Sequence, residues 1–312
     1  MKYVVKKVGV LIFMLFLVSF ITFIAFSVIP GDSVTTALGT DATEEAIEAM
    51  RESLGYNDPL FVRYGRWIGG VVRGDFGTSA QYNVEVGTLL HDKLPVTVWL
   101  AVVTLVMITI VGIPLGVWLA KAQNEKLQHV IELITQAFMS IPPFFLGMIL
   151  TLVFGIFLKW FTPGNYISYK ENVGAFLKYL IFPALAIAIP KISMVAKFTS
   201  SSIRREMGLD YVRTAYSKGS SRNHVFLRHI LKNSMMPVIT FMGMIVADVL
   251  AGSIIVEQVF NLPGLGRLLV TSIGNRDLFV VQAIILYIIT VVILVNFLVD
   301  IAYQMVDPRV RL

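Results

Sequence analysis

Long apolar runs alternate with short polar segments along the chain. Residues 8–31, 94–120, 133–158 and 278–299 contain no Asp, Glu, Lys or Arg. Residues 179–196 contain only Lys191, and residues 233–256 only Asp248. A helix needs about 20 apolar residues to cross a bilayer. The pattern therefore predicts an all-α integral membrane protein with spans near 8–30, 95–120, 131–158, 179–199, 235–257 and 278–303. They form one transmembrane domain over residues 1–312, with larger polar segments at 31–94 and 200–234. The first run exceeds the 7–15 apolar residues of a secretory signal, so it reads as a span despite a weak cleavage pattern at Ala25-Phe26-Ser27.

Several spans carry helix breakers. Gly112-Ile113-Pro114-Leu115-Gly116 lies in the second, Pro142-Pro143 in the third, and Pro183 and Pro190 in the fourth. Proline removes a backbone donor and kinks a helix. Glycines four apart allow close helix contact. Two readings stay open: ordinary membrane packing, or a bundle that rocks around a pathway.

The polar segments have patterns of their own. In 31–94, Asp41 and Glu44 stand at N-cap and N3 spacing, Ile47, Met50 and Leu54 form a stripe, and Gly55 closes the turn. Beyond Asn57-Asp58-Pro59, a second stripe holds Leu60, Tyr64, Trp67, Ile68 and Val71. This segment reads either as a cap resting on the bundle or in the membrane interface, or as a platform for an external partner. In 200–234, Val212, Ala215 and Tyr216 sit at helical spacing. Gly219 suits the left-handed C′ position, and Ser221 can cap the next helix. Leu227, Ile230, Leu231 and Ser234 are expected on one face of that helix, with Arg228 and Lys232 on another. The layout is a short knob. It suits a groove on a partner protein, and its cations also suit anionic head groups.

Charge adds an orientation. The net charge is +6, with 56% hydrophobic and 15% charged residues, against roughly 25% charged in an average soluble domain. Lys2, Lys6, Lys7, Lys121, Lys126, Arg309, Arg311 and eight cations between Lys197 and Lys232 fall on one side of the predicted spans. The other side has Lys159, Lys170, Lys178, Arg267 and Arg276, while residues 32–93 carry ten acidic against five basic residues. Cytoplasmic loops are enriched in Lys and Arg. Both termini and the knob are therefore expected in the cytoplasm, and segment 31–94 outside. The positive charge is topological and calls for no nucleic acid.

Candidate chemistry is sparse. There is no cysteine, and all four histidines lie outside the long apolar runs. The 13 methionines read as core filler rather than a metal path. No G-x-x-x-x-G-K-[ST] or H-E-x-x-H is present. Gly264-Leu265-Gly266-Arg267 and Gly74-Asp75-Phe76-Gly77 read as turns. Ionisable residues inside a membrane are costly and mark pathways or partners. Asp248 is thus a candidate for the pathway, with Met244 and Gly252 beside it, or a structural acid paired with Lys191. Lys191 otherwise snorkels toward the membrane edge. A self-sufficient secondary transporter would show more such groups and an internal repeat.

One resemblance covers nearly the whole chain. Arg213-Thr214-Ala215, Gly219 and the downstream Pro237 resemble the cytoplasmic EAA motif of binding-protein-dependent ABC transporter permeases, without its glutamate and first alanine. "DYVRTA..KG" is the form of the dipeptide, oligopeptide and nickel subfamily. "LGYNDPLFVRYGRWIGGVVRGDFGTS" (Leu54–Ser79), "VEQVFNLPGLGRLL" (Val256–Leu269) and "DPRVR" (Asp307–Arg311) resemble other segments of that subfamily, most closely its first permease subunit. The resemblance implies a six-helix importer permease that forms half of a pathway for di- or oligopeptides. Relatives carry nickel complexes, glutathione or other small solutes. It implies a second permease subunit, two ATPase subunits that hold ATP and Mg, an extracytoplasmic solute-binding protein and membrane lipid as partners. No cofactor or metal, and no catalytic residue, is expected in this chain. Tyr211–Ser221 is the implied coupling helix and Gly219 its pivot. Tyr211, Val212, Arg213, Thr214, Ala215, Lys218, Gly219 and Ser220 are the implied ATPase-docking residues.

Overall fold

The computed structural model describes residues 2–28, 43–53, 58–122 and 124–306, and is helical apart from turns and an isolated Thr78–Glu85 bridge. Asp41, Leu54, Gly55, Asn57 and the tail Asp307–Arg311 lie outside the described residues, as do the side chains of Ile47 and Met50. The helices are α1 (Lys2–Val28), α2 (Glu44–Ser53), α3 (Leu60–Val72), α4 (Val86–Met107), α5 (Ile113–Lys121), α6 (Glu125–Met139) and α7 (Pro143–Leu150). They are followed by α8 (Val173–Met207), α9 (Asp210–Ser217), α10 (Arg222–Val225), α11 (Lys232–Val259), α12 (Leu265–Gly274) and α13 (Leu278–Val306). Wider π-helical turns follow α4 at Ile108–Gly112, α7 at Thr151–Phe157 and α10 at Phe226–Leu231.

Among the described residues, five helical runs are long and apolar enough to cross a membrane: Lys6–Val28, Val86–Lys121, Val173–Met207, Arg222–Val259 and Leu278–Val299. The expected third span is not one rod. Its two parts, Lys126–Met139 and Pro143–Phe157, meet at 98°. Pro142 holds an extended backbone (φ −62°, ψ 139°) and Pro143 starts the new helix, so the helical ladder cannot run through. Pro183 and Pro190 do not break α8, which stays helical over 35 residues. Pro114 follows a π-helical turn, the kind of local adjustment that lets a membrane helix keep a proline. The helix also runs to Met207, so the polar connection is shorter than the expected 200–234.

Contacts divide the chain into two compact units. The first comprises Met1–Val96 and Pro263–Leu294. Here α1 and α3 share an aromatic cluster in which Tyr64 meets Phe16, Phe20 and Phe23. The Gly-Asp-Phe-Gly segment is a turn, with φ +86° at Gly74 and +85° at Gly77. Gly77 also leaves room for the Phe279 ring, which a Cβ would approach to 3.1 Å. Just beyond, the Ser79 hydroxyl donates to the buried carboxylate of Asp277.

The second unit comprises Thr97–Leu262 and Val295–Leu312. Its centre is α8, which packs on α5, α6, α7 and α11. Hydrocarbon solvates leucine as well as a helix interface does, so close packing and hydrogen bonds must hold this unit together. Gly112 and Gly116 supply the closest approach, lying against Ile192, Val195, Ala196 and Thr199 of α8. Thr97 donates to the fully buried Glu257 at 2.7 Å, and the Tyr179 hydroxyl donates to the Phe260 carbonyl at 2.7 Å.

Candidate coupling knob and charged pair

Between α8 and α11 the chain forms a knob of two short helices. Leu209 has an extended backbone (φ −81°, ψ 150°) and redirects the chain into α9. Gly219 ends α9 with φ +83°. Its N–H donates to the Tyr216 carbonyl at 2.9 Å, and Ser220 N–H donates to the Ala215 carbonyl at 3.3 Å. This pair of bonds is the Schellman arrangement, which needs a left-handed residue at C′. A Cβ on Gly219 would meet nothing within 4 Å. The backbone angle, not space, therefore selects glycine. Ser221 stands at the N-cap of α10, but its side chain makes no capping bond.

The eight implied docking residues divide into an outward and an inward set. Arg213, Thr214, Lys218 and Gly219 are exposed, and Tyr216 and Ser217 share that surface. Val212 is buried to 3% exposure in a cluster with Ile203, Val225, Phe226 and Ile230. It cannot meet another protein directly, which corrects the docking role read from sequence. Ala215 and Tyr211 pack against the same cluster. Ser220 is half-buried. A second correction concerns Leu227, which is 60% exposed, whereas Val225 and Phe226 are buried. The π-helical turn Phe226–Leu231 advances each residue by a smaller angle than an α-helix, so faces counted at 3.6 residues per turn slip.

Polar contacts missed by the sequence reading brace the knob. The Tyr211 hydroxyl donates to Glu206 at 2.5 Å and accepts from the Asn233 amide at 3.3 Å. These side chains come from the end of α8, the start of α9 and the start of α11. Burial, and then the hydrogen bond to Glu206, push the Tyr211 pKa up to about 12, so the hydroxyl keeps its proton at physiological pH. Arg204 donates to the Leu119 carbonyl at the end of α5 at 3.0 Å and lies 3.6 Å from Glu132. The Lys121 ammonium sits 3.8 Å from the centre of the Phe226 ring, a cation–π contact.

Toward the middle of α8 and α11, Lys191 donates to Asp248 at 2.6 Å. Lys191 is held by this pair rather than snorkelling, with its side chain 16% exposed against 50% for Asp248. Antiparallel packing sets the register, with Phe198 stacked on Phe241 at 4.3 Å and Ser202 donating to the Ser234 carbonyl. Met244, Asp248, Ala251 and Ile255 form one exposed stripe along α11. Gly252 lies off that stripe, half-buried against Ile187 and Pro143. Met244 and Asp248 thus share a face that Gly252 does not.

Residues 112–312 match the family described as "Binding-protein-dependent transport system inner membrane component", and residues 1–101 match the N-terminal region described for such components. The chain is 33% identical over 312 residues to the oligopeptide transport system permease protein AppB of Bacillus subtilis, covering 99% of each chain. It is 36% identical over 312 residues to the glutathione transport system permease protein GsiC of Escherichia coli, covering 100% of this chain and 99% of that one. Its fold is similar to a chain of the MetNI methionine ABC transporter in an inward-facing conformation, with a TM-score of 0.56 and 17% identity over 70% of this chain and 96% of that one.

Proposed function

The chain belongs to the family of binding-protein-dependent transport system inner membrane components, and from that premise we propose that it forms half of the pathway of an ATP-driven peptide importer. The observation that carries the reading is the knob, which presents Arg213, Thr214, Tyr216, Lys218 and Gly219 outward while its inner face is fixed to α8, α5 and α11. Such a surface suits a groove on an ATPase subunit, with Tyr216 as the aromatic anchor. ATP and Mg²⁺ belong to two such partners. Their closure draws the knob of this chain toward that of a second permease. A knob fixed to two long helices passes that displacement on as rigid-body motion.

The Lys and Arg distribution supports cytoplasmic termini and a cytoplasmic knob. An extracytoplasmic binding protein then delivers cargo to the opposite side. The names of the relatives favour peptides, and glutathione is itself a tripeptide. The stripe of Met244 and Asp248 on α11 is the surface we assign to the pathway, and the Lys191 pair offers a carboxylate to a peptide's amino group.

The test is native mass spectrometry of the complex extracted through a tag on this chain, followed by uptake in proteoliposomes. One homologous permease, two ATPase copies and ATP-dependent peptide uptake are the expected result. A chain that emerges alone, or transport indifferent to ATP, overturns the reading. Gly219→Pro addresses the knob itself, because proline is fixed near φ −65° and cannot adopt +83°. The variant should insert into the membrane and lose ATP-coupled uptake; normal uptake would remove the docking role.

A further inference from the structure

Helix α3 lies in a segment expected outside the membrane, yet its contacts reach deep along α1. The Tyr64 hydroxyl is 2.7 Å from the Ser19 hydroxyl, and the bond is buried. Ser19 stands nine residues before Val28, where α1 ends. At 1.5 Å per residue it lies ~13.5 Å below that end, close to the middle of a hydrocarbon layer about 30 Å thick. A tyrosine side chain is shorter than that depth, so the backbone of α3 at Tyr64 lies below the end of the span.

The faces of α3 are ordered in depth. Tyr64 packs on α1 through Phe16, Phe20 and Phe23, with ring centroids 5.1–5.8 Å apart. On one side of this contact, Phe61 stacks on Phe20 at 5.9 Å. On the other, the Arg63 guanidinium lies 5.9 Å from the ring of Phe23, one turn nearer the end of α1. Phe61, Gly65, Ile68 and Val72 follow at helical spacing on the deeper flank, and Phe61 and Val72 are 74% and 82% exposed. Arg63 lies on the shallower flank, while Arg66, ion-paired with Asp58 at 2.7 Å, and Arg73, just past the end of α3, lie on the face turned away from α1. An apolar flank toward the membrane middle, with cations on the remaining faces, is the arrangement of a helix lying in the interface. The deeper flank also continues the exposed apolar surface of α1 at Phe13, Phe16 and Ile21.

We propose that α3 is immersed at the acyl–headgroup boundary of the leaflet at the Val28 end of α1, with phospholipid covering its Phe61–Val72 flank and meeting its arginines. The inference rests on α1 being a membrane span. It assigns α3 to the lipid rather than to a soluble partner, and makes it an anchor that holds the outer end of α1.

The experiment uses the whole complex in phospholipid nanodiscs. The chain has no cysteine, so single nitroxides go on Gly65→Cys, Val72→Cys, Arg66→Cys and Arg73→Cys, with Ile21→Cys on α1 as the depth reference. The unsubstituted complex serves as the labelling blank. Accessibility to dissolved oxygen and to a water-soluble nickel chelate is read by power saturation. The expected result is oxygen-dominated relaxation at Gly65 and Val72, as at Ile21, and chelate-dominated relaxation at Arg66 and Arg73. Chelate access at Val72 with oxygen access at Ile21 overturns the proposal in favour of an aqueous cap. Low access to both reagents at Val72 overturns it in favour of a protein partner. Chelate access at Ile21 places the failure in the span assignment instead.

Discussion

Gly116 of α5 lies tightly against α8, and replacing it with alanine tests the packing there directly. A Cβ on Gly116 would lie 2.6 Å from the Ala196 carbonyl oxygen and 2.6 Å from the Thr199 Cβ. Optimal contacts between non-bonded carbons are about 3.5–4.0 Å apart. The shortfall is therefore on the order of 1 Å, and one obstacle is backbone that cannot rotate away. Overpacking of this kind costs about 1–3 kcal/mol. Alanine returns up to about 1 kcal/mol through its higher helix propensity. Two contacts near 2.6 Å, one of them to backbone, place the cost in the upper part of that range, so the net expectation for Gly116→Ala is a loss of about 1–2 kcal/mol. At Gly112 the nearest atoms would be 3.2–3.3 Å away, so a shift of a few tenths of an ångström suffices and the two terms nearly cancel. At Gly9 nothing lies within 4 Å, so alanine there should be neutral or stabilising. The assay is thermal unfolding of the purified complex at one scan rate, with the order Gly9→Ala at or above parent, Gly112→Ala near parent, and Gly116→Ala lowest. A Gly116→Ala complex as stable as the parent would refute the close crossing of α5 and α8.

Tyr211→Phe removes the bond to Glu206, about 1.5–3 kcal/mol for a hydrogen bond to a charged group. Assembly and ATP hydrolysis should persist while peptide uptake per ATP falls several-fold; unchanged coupling would reduce Tyr211 to packing alone. Asp248→Asn leaves the largely buried Lys191 ammonium without its counter-ion and should destabilise the complex more than Lys191→Met, which leaves the half-exposed Asp248 carboxylate. If peptide uptake is unaltered in a stably assembled Asp248→Asn complex, the carboxylate is not a contact for cargo. Val212→Asp places a charge in the buried cluster beneath α9 and should prevent stable assembly, whereas Arg213→Asp on the exposed side should allow folding and weaken ATPase binding.

Local rules explain what was legible in the sequence. The spans were visible because charge-free runs of membrane length have few other uses. Gly219 was visible because a left-handed C′ position selects glycine by its backbone alone, independent of neighbours. Leu227 was misplaced because a π-helical turn changes the angular step within a single helix, and no residue type announces it. Pro142-Pro143 signalled a break, but the 98° angle depends on packing against α8. The sequence offers Lys191 as a partner for Asp248, but only the antiparallel register of α8 and α11 brings these residues, 57 apart, to 2.6 Å. The Glu206–Tyr211–Asn233 contacts left no signal, since three polar residues on three elements meet only after α9 has folded back.

The same contacts explain why the knob is braced rather than loose. A docking loop tethered by flexible linkers would absorb a partner's movement in its own backbone. Here α8 runs without interruption to Met207, about 52 Å of helix at 1.5 Å per residue. Only Gly208 and Leu209 separate it from α9. On the other side, α10 passes through its π-helical turn straight into α11 with no intervening loop. Val212, Val225 and Phe226 close the space between the two connections, and Tyr211 ties their ends. A force on Arg213, Thr214 or Lys218 therefore has few soft dihedrals in which to dissipate. Lys191 and Asp248 stand on α8 and α11, the same two helices that lead out of the knob.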